Sequence, residues 1–247
     1  MKIIISPAKK LNTNQPSVGK KMSFNFMKEA SNLIDLLQTK SVNDIKSLMS
    51  LSDNLSQLNW DRFQAWNPNS IDTYYAIHMF QGDVYQRLEA ESFSEDDMQF
   101  AQKNLRILSG LYGLLSPMDV ILPYRLEMGT KLQHKNGNTL YDFWGKKLKQ
   151  ELLSEMSQDE CLINLASNEY NKALVLDDFP RKIFTPIFKD YKNGKLKIIS
   201  FFAKRARGEM ANFIIKNKIT NPDDLKLFDN DGYSFSHVEQ GDIFYSR

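Results

Sequence analysis

The twenty residues IFTPIFKDYKNGKLKIISFF, 183–202, decide the class of fold. Two apolar runs, 183–191 and 196–202, flank Asn193-Gly194. Asn-Gly between apolar runs is the strongest short-range hairpin signal, because both residues tolerate the positive φ that a tight turn demands. An antiparallel hairpin excludes a purely parallel doubly wound sheet and leaves a mixed one.

Directly after the hairpin, the pattern predicts a helix over about 203–216, with Lys204, Arg205 and Arg207 in or near its first turn. A helix N-terminus carries partial positive charge and unpaired N–H groups, so each cation there costs about 0.3–1 kcal/mol unless something negative is bound. Three together point to an anion site, with phosphate the usual occupant. The alternative is ion pairing with acids elsewhere in the fold. Lys204 and Arg207 stand three apart and share a helix face. Residues 181–220 hold eleven Lys or Arg against Asp190 and Glu209, a local charge of +9, while the remainder carries −7. The overall charge of +2 hides a C-terminal third with a positive field. A solvated basic face is the plainer reading of the same charges.

The 247 residues, 42% hydrophobic and 25% charged, can bury a full core without staples. No stretch approaches the roughly 18 apolar residues of a membrane span, so no membrane association is expected. Ile3, Ile4 and Ile5 form a run too short for a signal-peptide core, closed by Pro7, Lys9 and Lys10, and read as a short buried strand. The single cysteine, Cys161, permits no internal disulfide. Together these features point to the reducing cytoplasm. No repeat, low-complexity tract or linker interrupts the chain, so residues 1–247 are expected to form one domain.

Apolar spacing predicts helices over about 24–37, from a Ser41 cap through Met49, and from a Ser52 cap to near Trp66. Residues 76–80 read as a strand. Ser94 and Asp97 resemble a capping box opening a helix that runs through Phe100, Leu105 and Leu108 to Gly110. A helix over 140–156, a buried strand over 161–166 and two short strands near 233–235 and 243–245 complete the chain. The expected fold class is α/β (mixed α+β). It is a single compact domain with a mixed sheet and an antiparallel hairpin, surrounded by helices and holding a basic cleft.

Several short motifs can carry chemistry. In Leu108-Ser109-Gly110-Leu111-Tyr112-Gly113, two glycines between predicted helices would let backbone N–H groups approach a phosphate. The pattern looks like a degenerate helix-hairpin-helix, which would make Ser109, Gly110, Tyr112 and Gly113 DNA-backbone contacts; a glycine C-cap is the structural alternative. In 123–129, if extended, Tyr124, Leu126 and Met128 face one way and Arg125 and Glu127 the other, as a site pair or a structural ion pair. The strand over 161–166 ends in Ser167-Asn168-Glu169-Tyr170, where side chains commonly line a cleft, though Ser167 also suits a plain N-cap. Gln81-Gly82-Asp83-Val84-Tyr85 is another strand-turn, with Asp83 either a cap or a base.

Ser6-Pro7-Ala8-Lys9 and Ser52-Asp53-Asn54 fit two motifs of penicillin-recognising serine enzymes, but Lys-Thr-Gly is absent, and acyl-serine chemistry is set aside. Ser6 and Lys9 remain candidate pocket residues after the first strand. His78, His134 and His237 are dispersed and no Cys/His or Glu-x-x-His spacing occurs, so no metal site is expected. No Gly-x-Gly-x-x-Gly or P-loop occurs, and no cofactor is expected.

Taken in order, these strings resemble the YaaA family of bacterial peroxide-stress proteins. The matching pieces are Ser6-Pro7-Ala8-Lys9, Phe80-x-Gly82-Asp83-Val84-Tyr85, Phe93 to Asp97, Leu108 to Gly113 and Pro123 to Gly129. They continue with Phe143-Trp144-Gly145, Asn164 to Ser167 with Glu169-Tyr170, and Ile198 to Phe201 through Ala203-Lys204 to Ala206-Arg207-Gly208. The resemblance implies a bacterial cytoplasmic protein that limits free iron during hydrogen peroxide stress. It also implies a compact α/β fold whose basic cleft and helix-hairpin-helix-like element bind duplex and branched DNA.

Two functions are therefore expected to compete. In the first, Lys204, Arg205 and Arg207 neutralise DNA phosphates while Gly110–Gly113 positions them, giving sequence-independent, salt-sensitive binding. In the second, an enzyme holds a small anionic or nucleotide-like substrate with Lys204 and Arg207. Asp83, Glu127 or Glu169 then supplies acid/base catalysis, and Lys9, Tyr124 or Tyr170 orients the substrate. A deep pocket gathering Lys9, Asp83, Arg125, Glu169 and Lys204 favours the enzyme; a long open groove of Lys and Arg favours DNA. No amphipathic or exposed apolar signature suggests a protein partner.

Overall fold

The structure, a computed structural model describing all 247 residues, brings three distant apolar runs together at the centre of one sheet. Its strands are β1 (Lys2–Ile5), β2 (Leu105–Ser109), β3 (Gly113–Leu115), β4 (Leu162–Asn164), β5 (Ile183–Lys192), β6 (Lys195–Lys197), β7 (Ser234–Glu239) and β8 (Asp242–Ser246). The spatial order is β7-β8-β5-β4-β1-β2-β3, with β6 also pairing with β5. β1 runs parallel to β2 and β4, and β5 parallel to β4 and β8. The pairs β2–β3, β5–β6 and β7–β8 are antiparallel, so the sheet is mixed as the hairpin requires. Ile3 lies between Leu105 and Ile163, and all three are fully buried. Parallel strands covered on both faces must be apolar on both, which is why these segments read as unbroken runs.

Helices α1 (Met27–Gln38), α2 (Val42–Met49), α3 (Asp53–Gln64), α4 (Asp83–Leu88), α5 (Glu95–Asn104), α6 (Leu140–Trp144), α7 (Lys147–Ser154), α8 (Asn168–Asn171) and α9 (Ser200–Lys216) surround this sheet. Ser41 with Asp44 and Ser94 with Asp97 close reciprocal capping boxes, as the sequence predicts for the second pair; Thr139 with Asp142 makes a third. One continuous hydrophobic cluster runs from Met1 to Tyr245. Two cations penetrate its margin. Lys2 Nζ and Arg106 Nη2 both pair with Glu155 Oε2, at 3.1 and 2.5 Å.

The turn at Asn193-Gly194 has φ of 54° and 75°, the two positive values that this dipeptide supplies without strain. Four expectations need correction. Residues 76–80 are not a strand. Ala76–Met79 forms one helical turn between the two-residue strands Tyr74–Tyr75 and Phe80–Gln81. Ala76, Ile77, Met79 and Phe80 are buried and only His78 is partly exposed, so five residues show no period by which to tell the two apart. The helix from Ser94 does not reach Gly110. It stops at Asn104, and Leu105–Ser109 becomes the fully buried β2. The helix expected over 140–156 is two, broken at Gly145, whose φ is 50°. The helix after the hairpin starts at Ser200, which places Lys204 and Arg207 in its second turn rather than its first.

The helix-hairpin-helix expectation falls with the second of these. Ser109 to Gly113 joins β2 to β3 as a β-hairpin, and Ser109, Gly110, Leu111, Tyr112 and Gly113 are all buried. Packing explains both glycines. A Cβ on Gly110 would stand 2.2 Å from the Leu126 carbonyl oxygen, and one on Gly113 would stand 2.8 Å from the Trp144 ring. Their backbones are spent inside the protein: the Gly110 carbonyl accepts from Trp144 Nε1 at 3.0 Å, and the Tyr112 amide donates to Ser109 Oγ at 2.8 Å.

Candidate functional site

Two parallel strands, β1 and β4, end side by side, and the chain that leaves each one opens a cavity of about 340 Å³. Ligands in open α/β sheets characteristically bind beyond the carboxyl ends of the strands, where loops diverge. Ser6 follows β1, and Ser167, Glu169 and Tyr170 follow β4; all four line the cavity. The start of α4 supplies Asp83, Val84 and Tyr85, and α9 supplies Lys204 and Arg207. The extended segment 123–129 supplies Tyr124, Arg125, Leu126 and Glu127. Its alternation is as expected: Tyr124, Leu126 and Met128 are buried, while Arg125 and Glu127 are partly exposed.

Hydroxyl contacts bind the two strand ends together. Ser6 Oγ donates to Ser167 Oγ at 3.2 Å and accepts from the Ser167 amide at 2.9 Å. Tyr85 donates its hydroxyl to the Ser6 carbonyl at 3.0 Å, and the Tyr124 hydroxyl shares a hydrogen with Ser109 Oγ at 2.6 Å. With both hydroxyls engaged, what Tyr85 and Tyr124 offer the cavity is ring surface. Burial pushes the phenol pKa values of Tyr85, Tyr124 and Tyr170 well above the ordinary tyrosine value, so none is an anion near neutral pH.

The charged groups divide into spent and unspent. Glu127 takes Arg125 Nη2 on Oε1 and Lys9 Nζ on Oε2, each at 2.9 Å. Lys9 therefore answers Glu127 rather than Ser6, and the Ser-x-x-Lys spacing builds no serine–lysine dyad. Glu169 Oε1 accepts from the Gly129 amide at 2.9 Å, which fixes its direction. Lys204, Arg207 and Asp83 have no ion pair or side-chain hydrogen bond within the protein. Burial pulls the Arg207 pKa below the ordinary guanidinium value, with no acid alongside to compensate. Five cationic and three acidic side chains line the cavity, a net charge of +2. The arrangement can hold an anion against Lys204 and Arg207 while presenting a free carboxylate, Asp83, for proton transfer or for a hydroxyl.

The structure thus gathers Lys9, Asp83, Arg125, Glu127, Glu169, Ser6, Tyr85, Tyr124, Ser167, Tyr170, Lys204 and Arg207 around one cavity. It leaves Arg205 outside, with its guanidinium 5.4 Å from the Phe201 ring centre. Ser109, Gly110, Tyr112 and Gly113 lie behind the cavity wall, in the core. Lys10 and Gln81 line the cavity without having been anticipated. They pair with each other across a two-residue ladder, a contact that only the neighbouring motifs at Lys9 and Gly82 hint at. The hairpin also exposes Tyr191, Leu196 and Ile198 beside Lys192, Lys195 and Lys197, an apolar surface that the sequence reading did not anticipate.

No group of three or more His, Cys, Asp or Glu side chains is placed to hold a metal ion, and no helix is long and apolar enough to cross a membrane.

Comparison with known proteins agrees with the resemblance seen in the motifs. The chain is 48% identical over 241 residues to a UPF0246 protein of Teredinibacter turnerae, covering 96% of this chain and 94% of that one. It is 49% identical over 247 residues to a UPF0246 protein of Colwellia psychrerythraea, covering 98% and 96%. A UPF0246 protein of Aliivibrio fischeri is 48% identical over 246 residues, covering 97% and 94%. Residues 1–239 match the family described as peroxide stress protein YaaA, with every cavity-lining residue inside the matched span. The chain belongs to the peroxide stress protein YaaA family.

Proposed function

We propose that this peroxide-stress family member works through its strand-end cavity, as an enzyme that binds a small anionic, nucleotide-like substrate and moves a proton on it. The observation that carries this reading is the pairing of two uncommitted cations, Lys204 and Arg207, with an uncommitted carboxylate, Asp83, in one cavity of about 340 Å³. That volume falls in the range of small-molecule sites. Lys204 and Arg207 hold the anion. Asp83 is the acid/base candidate, and Glu169, fixed by the Gly129 amide, orients the substrate. Glu127 serves as the anchor that holds Arg125 and Lys9 in place. Any limit on unincorporated iron during peroxide stress follows from this ligand's chemistry rather than from ligation of iron by the chain.

A binding screen on purified protein, using a pooled set of anionic metabolites and nucleotides, tests the reading. Specific retention that disappears in the Lys204→Ala/Arg207→Ala double variant is expected. Retention unchanged in that variant, or no retention of any small anion, overturns it.

One observation favours a second reading, sequence-independent DNA binding. Lys192, Lys195 and Lys197 stand exposed on the hairpin that leads into α9, so the positive surface extends beyond the cavity mouth. Duplex affinity should then fall steeply with salt, and the slope should shrink by roughly one for each lysine removed. A flat salt dependence overturns this second reading and leaves the first untouched.

A further inference from the structure

The cavity's charges and walls specify more than an anion. We propose that its ligand is a phosphate monoester bearing a ring and free hydroxyls, of the chemical class of a nucleoside 5′-monophosphate; this rests on the small-anion reading above.

Charge sets the headgroup. The lining carries a net +2, which a phosphate monoester dianion neutralises. A diphosphate would leave excess negative charge in the cavity, and a monocarboxylate would leave a charge of +1 unmatched. The two uncommitted cations sit three residues apart on α9, one turn of one helix face. Arg207 offers a planar fork that matches two phosphate oxygens, and Lys204 adds a point charge. Arg125 and Lys9 are unavailable for that role, because Glu127 already holds both.

The walls set the remainder. Tyr85, Tyr124 and Tyr170 contribute ring surface, and the first two have their hydroxyls engaged elsewhere, so this side of the cavity prefers a planar apolar body. The Asp83 carboxylate has no protein donor, yet it faces the same space as two uncommitted cations. A carboxylate repels a phosphate but accepts readily from a hydroxyl, so the ligand must carry hydroxyl donors separate from its anion. The ligand is therefore divided into phosphate, hydroxyl-bearing linker and ring.

Calorimetry on the full chain tests this with AMP, GMP, CMP and UMP, their parent nucleosides, inorganic phosphate, citrate and a short single-stranded oligonucleotide. At least one monophosphate should bind about tenfold or more tightly than both its nucleoside and inorganic phosphate. Arg207→Gln should remove that advantage and leave the nucleoside's weak binding unchanged. Should Arg207→Gln lower the melting temperature, the exposed Lys204→Gln provides the same readout. Tighter binding of the oligonucleotide, whose internal phosphates are diester monoanions, overturns the monoester proposal and favours the nucleic-acid reading. A nucleoside that binds as well as its monophosphate overturns the proposal. Binding of citrate alone overturns it while sparing the small-anion reading; no binding by any of these anions removes both.

Discussion

Glu127 shows how one side chain sets the character of a whole site. It holds Arg125 and Lys9 together at 2.9 Å each, converting two cations into a local charge of +1. Glu127→Gln frees both and raises the lining charge from +2 to +3. Anion affinity should then rise about threefold to tenfold at low salt, and the gain should shrink at high salt because Lys9 is exposed. Calorimetry at two ionic strengths checks this; a gain that ignores salt would mean the side chain acts by shape. At this scale the sequence located the cavity lining where a charged residue stood just beyond a strand end, as for Lys9, Asp83 and Glu169, and on the helix after the hairpin, as for Arg207. It misled for Ser109 and Tyr112, because a polar side chain announces a need for a partner and not where the partner lies. Both found theirs inside the core, Tyr112 donating to the Leu122 carbonyl at 3.0 Å.

Between elements, the height of the cavity is set where α9 crosses α4. A Cβ at Gly208 would stand 2.1 Å from the Val84 carbonyl oxygen and 2.9 Å from Arg87 Cβ, so the two backbones approach as only glycine permits. Gly208 lies one residue after Arg207 and one turn after Lys204, and Val84 follows Asp83. The glycine therefore fixes the distance between the anion-holding cations and the free carboxylate. Gly208→Ala would gain about 1 kcal/mol of helix propensity. The clash with fixed backbone outweighs that, and a net loss of about 1–3 kcal/mol is expected in denaturant titration, together with weaker ligand binding. The elements themselves were readable where a local rule is strong: capping boxes, the Asn-Gly turn, the apolar run of β1. The errors at 76–80 and 105–110 share a cause. A short segment that is wholly buried, as at 105–110, or buried at all but one position, as at 76–80 where only His78 is partly exposed, carries no alternation and no helical stripe, and its neighbours in space decide its form.

Across the whole molecule, the sheet draws its stability from charges at its margin as well as from its apolar centre. Lys2 on β1 and Arg106 on β2 converge on Glu155, their side chains 7% and 8% exposed. Glu155→Ala strands both in a poorly solvated position and should cost about 3–5 kcal/mol, read by thermal and denaturant unfolding. Near them, burial raises the Asp119 carboxyl from an ordinary value of 3.8 to about 6. The folded chain thus retains a proton that the unfolded chain releases over that interval. Stability from this group is full below about pH 4 and is lost as pH rises through about 6. Asp119→Asn should raise the melting temperature by about 2–4 °C near neutral pH and leave it nearly unchanged at about pH 4. The mixed sheet was foreseeable from one hairpin, but the order of its strands was not, because nothing local records which distant runs will become neighbours. That order governs how the polypeptide reaches its native state. β1 gains β2 as one neighbour first, but Lys2 pairs with Leu162, so its other edge waits for a partner made roughly 8–30 s after it at ordinary rates of synthesis. During that interval Ile3, Ile4 and Ile5 form a bare, sticky edge, and a nascent chain arrested before residue 162 should depend on chaperones to stay out of aggregates.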